Sequence, residues 1–537
     1  MWQPPPSLGY TNYTGPTVQT HRALETYDIL YLIFEYLANA DENVGSERIF
    51  RHWLANAARV SHSFSEPAMT ILWRKLGDIG ALFRIFSSVT RECIPDSNRF
   101  THYFRGDIYA DEWRRFKTYA GWIREASYDH YFGRVDQSVI VAVANLNNSE
   151  PLLPSLRVLH WRHCSPNEIQ IPFLLAPPHI QTLDIAFGLD NTSERIDGIR
   201  EPRLDALLGM MAVRTPVLEH FQLLGFLDPS LLLSVRNLSK VRSMSIAFHD
   251  LIPFFDTPTL HALCQMDSLV SLELQFRLSV NTKLSELYFP RLESLHVNCK
   301  APELARLLHA MSAPRLTNLS VKAKIHNVAH PCQDITHAAK IRFGRSLRTF
   351  KLVINDSCRS WGGNRSALFD IIRPLLDLRD MLKLELSVNT AQYNMNDMQI
   401  EVIAQSWPFL EDLSIVVPPL TVLVTGITLD SLVHFATHCP NLSSLELQGL
   451  TPTLTLDFVA QRLRPHNLAS LYIRGPDMQS WTRGKAQQVA GMLYGLFPNL
   501  ALFPPPRAGY ELSGKWKQVM KAYAGIRGEP FPDIESD

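Results

Sequence analysis

The 537-residue chain has no surplus charge of either sign: Lys and Arg total 52, Asp and Glu 52. It also lacks any dense Lys/Arg run, so neither nucleic acid nor an anionic membrane is expected as its main partner. Long apolar runs are missing. The greasiest segment, DILYLIFEYL (28–37), is about half of the roughly 20 residues a membrane helix needs, and it carries Asp28 and Glu35. Residues 1–21 show neither the basic nor the apolar stretch of a secretory signal; their prolines and polar residues read as a disordered arm. The 7 cysteines contain no CxxC, and the closest two, Cys332 and Cys358, are 26 residues apart. That spacing suits a reducing compartment rather than a disulfide scaffold, so a cytoplasmic and/or nuclear location is expected.

Signatures of chemistry are absent as well. No phosphate-binding loop, nucleophile elbow, zinc-protease motif or dinucleotide fingerprint occurs. The nearest metal-like run is HFATHC, where His434, His438 and Cys439 can share a helical face. A zinc site needs about four ligands and no complementary cluster is near in sequence, so the run reads as the end of a helix where His and Cys pack. No catalytic residue, metal or cofactor is expected, and the chain reads as a non-enzyme.

What is present is a repeated phrase, P-x-L/I-x-x-L/F-x-apolar. It reads PSLRVLHW (154–161), PHIQTLDI (178–185), PVLEHFQL (216–223), PRLESLHV (290–297), PRLTNLSV (314–321), PFLEDLSI (408–415) and PNLSSLEL (440–447). Copies without the proline are KVRSMSI (240–246), DSLVSLEL (267–274), RSLRTFKL (345–352), DMLKLEL (380–386) and NLASLYI (467–473), with PNLALF (498–503) a broken last copy. From Leu159 to Phe503 the central apolar residue recurs in steps of 23 to 38 residues, about 29 on average. The last two apolar positions fall on one face of a short strand, and the first anchors the turn into it. Between copies lie stretches of helical spacing such as PELARLLHAM (302–311) and DSLVHFATHC (430–439). A strand–helix unit of this size cannot bury its apolar face alone; stacked units can.

The phrase resembles that of leucine-rich-repeat proteins of the irregular kind with long helical repeats. The resemblance implies an α/β solenoid over 151–503, with parallel strands on a concave face and helices on the convex face. The turn position that the family fills with Asn or Cys is so filled at Cys164 and Asn355 but not in most copies, so uneven curvature is expected.

Residues 24–86 show no strand alternation and predict three short helices, the third starting at Glu66-Pro67. Their order Asp28-Ile29-Leu30, Ile33-Phe34, Leu37, then Arg59-Val60-Ser61 and Phe64, then Ile71-Leu72-Trp73-Arg74 and Leu76, resembles an F-box. It is most like fungal F-box proteins carrying irregular leucine-rich repeats. The segment 111–127 is similar to the helix and first strand that follow the F-box in that group. Where the family begins its first helix with proline, this chain has Tyr27, and Thr26 is placed to cap the helix instead.

The resemblance implies a substrate-recognition subunit of an SCF-type cullin–RING ubiquitin ligase, with a Skp-type adaptor on the F-box and a protein target on the repeats. The expected adaptor contacts are Leu30, Ile33, Phe34 and Leu37 on the outer face of the first helix, with Val60, Phe64 and Trp73 partly packing the helices together. The target-facing positions, between the last two apolar residues of each phrase, are His160, Asp184, Gln222, Ser245, Glu273, His296, Ser320, Lys351, Glu385, Ser414, Glu446 and Tyr472. A basic peptide segment would suit Glu273, Glu385 and Glu446, but the favoured reading of each is a charge that solvates the face. The expected organisation is a disordered arm (1–20), an F-box-like domain (21–90), a connecting helix and first repeat (91–150), the solenoid (151–503), and a C-terminal cap or tail (504–537). The alternative is a non-catalytic leucine-rich-repeat scaffold whose N-terminal helices only cap the solenoid.

Overall fold

The computed structural model describes residues 22–39, 46–93, 100–129, 134–164, 171–187, 202–225, 229–248, 252–279, 282–324, 331–355, 367–388, 395–416, 426–448, 450, 466–474, 483–502 and 514–531. The arm expected over 1–20 and the start of the C-terminal segment lie outside them. Among the described residues no helix is long and apolar enough to cross a membrane. The chain divides into two compact units, residues 1–184 and 185–537.

The first unit opens with three helices, α1 (Tyr27–Asn39), α2 (Ser46–Ala57) and α3 (His62–Arg74). Helix α3 begins earlier than the sequence reading placed it. Ser61, in extended conformation, accepts a bond from Phe64 N through its Oγ (3.3 Å), and Pro67 sits inside the helix rather than at its start. At the second turn a proline forfeits a single backbone bond, so the cap decides the boundary. Thr26 also departs from expectation: its hydroxyl donates to Arg22 O (3.0 Å) in the preceding turn rather than capping α1.

Strand β1 (Lys75–Leu76) follows α3 directly. The unit continues with α4 (Gly80–Phe83), the antiparallel pair β2 (Val89–Cys93) and β3 (Phe100–Phe104), α5 (Ala110–Trp122), β4 (Glu125–Asp129), β5 (Arg134–Val135), α6 (Gln137–Leu146) and β6 (Val158–Cys164). β1, β4 and β6 run parallel with Leu76, Ala126 and Leu159 in register. The repeat pattern of strands therefore starts at the end of the third helix, well before the first copy of the phrase. Phe86 and Phe116 stack at 5.0 Å in an aromatic core, and the Tyr128 ring lies 4.2 Å from that of Trp161.

The second unit is a stack of strands and helices. Among the described residues, ten strands of one sheet lie side by side in their sequence order, with short strands of two small separate sheets between some of them: His220–Leu224, Ser243–Ala247, Ser271–Gln275, Ser294–Lys300, Asn318–Lys324, Thr349–Asn355, Lys383–Val388, Asp412–Val416, Ser444–Gln448 and Ser470–Arg474. Every pairing is parallel, as expected when a helix or loop returns the chain to the same edge each time. The phrase explains the core: Leu292, Leu295 and Val297 of one copy are buried, as are Leu316, Leu319 and Val321 of the next. The intervening helices, among them Ala301–Ala310, Asp397–Ser406 and Asp430–His438, cover one side of the strands with buried faces such as Leu304, Leu307 and Leu308. Mixed α/β elements around a parallel sheet make this an irregular leucine-rich-repeat solenoid.

A backbone ladder precedes the strands. Val270 O accepts from both Glu293 N (2.8 Å) and Ser294 N (3.0 Å), Glu293 O from Thr317 N and Asn318 N, and Thr317 O from Arg348 N and Thr349 N. The same bond recurs to Ala501 N, which donates to Ala469 O (2.8 Å). The broken copy at 498–503 thus joins the ladder but forms no strand up to residue 502. Beyond it, helix Gly514–Arg527 buries Trp516 and Tyr523, and the Tyr523 hydroxyl donates to Phe497 O (2.6 Å) and accepts from Leu500 N (3.2 Å). The Tyr523 hydroxyl thus ties this helix to the last copy of the phrase.

Candidate functional site

Helix α1 carries two apolar stripes. The inner one, Leu30 and Phe34 with Tyr31 and Ala38, meets Leu54, Ala68 and Ile71 from the other two helices in a small core. Phe34 and Phe64 pack edge to face at 5.7 Å. An ion pair between Arg74 and Glu35 ties α3 to α1. The outer stripe is Ile29, Leu32, Ile33, Tyr36 and Leu37, spaced i, i+3, i+4, i+7 and i+8. It is exposed: Ile33 by 41%, Leu37 by 46%, Leu32 by 62% and Tyr36 by 76%. Ile49 and Trp53 of α2 are exposed apolar residues as well. An apolar stripe a whole helix long, left to water, is the mark of a surface meant to be covered.

The expected adaptor residues sort accordingly. Ile33 and Leu37 lie on the outer stripe. Leu30 and Phe34 do not; they are core residues, because three short helices have too few apolar side chains to build a core without them. Val60 is exposed instead of packing between helices. Phe64 packs the helices through Phe34, and Trp73 stacks on Tyr119 of α5 at 4.6 Å, facing the following helix. Ile29, Leu32 and Tyr36 were missed as surface residues, although the i, i+3, i+4, i+7 spacing from Ile29 is legible as a second stripe.

The target-facing positions of the second unit form one row in register. Gln222, Ser245, Glu273, His296, Ser320, Lys351, Glu385, Ser414, Glu446 and Tyr472 are successive cross-strand partners. The row is largely self-satisfied. Ser245 Oγ donates to Glu273 Oε2 (2.9 Å), whose other oxygen is 3.8 Å from His296 Nε2, and His296 Nδ1 is 2.8 Å from Ser320 Oγ. Lys351 pairs with Glu385 at 2.8 Å, and Ser414 Oγ donates to Glu446 Oε2 at 2.6 Å. Glu273, Glu385 and Glu446 thus each have a partner within the chain.

The row also changes character along its length. Gln222 and Glu273 are exposed, whereas Ser414, Glu446 and Tyr472 are buried, contrary to their expected place on an open face. In the first unit, Asp184 is buried as well: His160 Nδ1 (3.2 Å) and the Arg162 guanidinium (3.1 and 3.3 Å) close over its carboxylate. His160 itself stays half-buried.

Four cysteines bear on chemistry. Cys93 is exposed, while Cys264, Cys299 and Cys439 carry thiols that burial pushes up, to about 12 for Cys264 and Cys439. Such thiols are poor nucleophiles.

No protein-family model matches the chain, and no curated protein is significantly similar to it. Among solved structures, it is similar to the Rad7 and Elc1 complex of yeast, at 16% identity and a TM-score of 0.30, over 87% of this chain and 96% of that one. A second likeness, to the PEPR1–AtPEP1 structure, has 11% identity and a TM-score of 0.17 over 70% of this chain and 64% of the other. Neither superposition is close enough to bear on function.

Proposed function

We propose that the chain is a target-recognition subunit of an SCF-type cullin–RING ubiquitin ligase, binding a Skp-type adaptor through α1 and a protein target through the repeats. The observation that carries this reading is the outer stripe of α1. The helix uses its inner stripe for its own core and offers a second apolar stripe to a partner, as expected of an F-box helix shared with an adaptor. The scaffold alternative calls for Ile33, Phe34 and Leu37 to be buried against the repeats. Ile33 and Leu37 are exposed, and Phe34 is buried within the three-helix core instead.

No chemistry is asked of the chain itself. Holding a target and the ligase on one protein raises the effective concentration of target lysines near the charged ubiquitin carrier, which accelerates transfer without a new catalytic group. The reading implies a cytoplasmic and/or nuclear location. Its test is co-expression of the full chain with a Skp-type adaptor. The wild type should co-purify with the adaptor, and the pair Leu32→Ala, Tyr36→Ala should not. A folded full-length chain that retains no adaptor, or a double variant that retains it undiminished, would overturn the assignment.

A further inference from the structure

We propose that Glu401, His434 and His438 form a site for a divalent transition-metal ion, zinc foremost, bridging the helices of two successive repeats. His434 and His438 stand one turn apart on helix Asp430–His438, so their imidazoles project from the same face. Glu401 comes from the preceding helix, Asp397–Ser406. One potential ligand atom from each of the three lies within 4.8 Å of the others, and all three side chains are half-buried. The sequence shows only the His pair; the repeat stacking supplies the carboxylate from 33 residues upstream.

Several features favour a metal over a chance cluster. Gln405 Nε2 donates to Glu401 Oε1 (3.1 Å), holding the carboxylate in place and leaving its second oxygen for an ion, the kind of outer support that metal ligands commonly have. The helix that presents the two imidazoles is fixed at its end, where His466 Nε2 lies 2.7 Å from Cys439 O. Cys439, adjacent in sequence, is not a ligand: its buried thiol points to Ala404 O (3.4 Å) and Trp407 O (3.5 Å). That leaves two nitrogens and one oxygen, a set suited to zinc, nickel or copper rather than to magnesium or calcium, which prefer oxygen throughout. Tetrahedral zinc with bonds of about 2.0–2.2 Å needs ligand atoms roughly 3.3–3.5 Å apart. Side-chain adjustments of about 1 Å each therefore close the site, with water in the fourth position.

The test uses the full-length chain, tag-free and stripped with a chelator, titrated with zinc by calorimetry and with cobalt(II) by visible absorption. One equivalent should bind, cobalt should show the ligand-field bands of a low-coordinate site, and zinc should raise the melting temperature. His434→Ala and His438→Ala should each abolish the bands and the thermal shift while leaving the circular dichroism of the metal-free chain unchanged. Glu401→Gln, the mildest change, should weaken binding by roughly tenfold or more, comparable to losses seen when metal support is removed. Absence of a stoichiometric site, or binding that survives either His substitution, would overturn the proposal; so would a zinc-induced thermal shift that Glu401→Gln leaves at full size.

Discussion

Leu30 and Leu32 are the same residue type two positions apart on one helix, and the structure assigns them opposite duties. Leu30 is 1% exposed in the three-helix core, whereas Leu32 is 62% exposed on the outer stripe. Truncating a fully buried leucine to alanine removes its transfer energy and leaves a cavity, a cost of about 2–5 kcal/mol. Only roughly two-fifths of the Leu32 surface is covered, so its intramolecular share is at most about 1 kcal/mol of the ~1.5–3 kcal/mol for full burial. Leu32→Ala should therefore shift the urea midpoint little, while Leu30→Ala should lower it well beyond error. Binding should respond in reverse. If the outer stripe is an interface anchor, Leu32→Ala costs on the order of 1–3 kcal/mol of affinity for a Skp-type adaptor, a loss of about 5- to 150-fold by calorimetry. Equal destabilisation by both variants would refute the two-stripe assignment. A stable Leu32→Ala with wild-type adaptor affinity would refute the interface.

Three further outcomes are expected. Tyr523→Phe removes a buried hydroxyl that bonds Phe497 O and Leu500 N, and should lower stability by about 0.5–1.5 kcal/mol in denaturant titrations, because the two backbone groups then keep only their long 3.3 Å bond to each other. Gly225→Ala should be at least as harmful: φ is +152° and a Cβ there would come 2.8 Å from Phe187 Cβ, so strain of about 1–3 kcal/mol should appear in the melting curve. Iodoacetamide mapping by mass spectrometry at pH 8 should label Cys93 and spare Cys264 and Cys439 until unfolding, since a thiol at about 12 is ionised in roughly one molecule in ten thousand.

The solenoid was legible because its signal is local and repeated. Leu159, Phe221, Leu295 and Leu445, picked from the phrase alone, all lie buried in parallel strands. Strand β1 escaped notice because two residues, Lys75 and Leu76, show no period; its identity comes from pairing with Glu125 and Ala126, fifty residues on. The pair β2–β3 carries no phrase and was not foreseen. On α1 the difficulty is of another kind. A helix apolar nearly all round has no phase, so composition identifies an unusual segment without saying which face looks inward. Leu30 and Phe34 were therefore placed outside when α2 and α3 require them inside. The burial of Asp184 and Glu446, and the meeting of Glu401 with His434 and His438, depend on neighbouring repeats and leave no trace in a linear reading.

The backbone ladder that precedes the strands has a mechanical consequence. In the second unit its rungs, from Glu219 O to Ala501 N, join each repeat to the next, and among the described residues no rung skips a repeat. Tension applied between the two ends of that unit loads these joints in series, so the weakest yields first and its neighbours keep their grip. Extension should then proceed by tearing off single repeats, not by one collective rupture. The released lengths would follow the spacing written in the sequence, from 23 residues between Phe221 and Met244 to 34 between Phe350 and Leu384. At about 3.5 Å per extended residue, that gives a sawtooth of roughly 80 to 120 Å per tooth, unequal in a predetermined order.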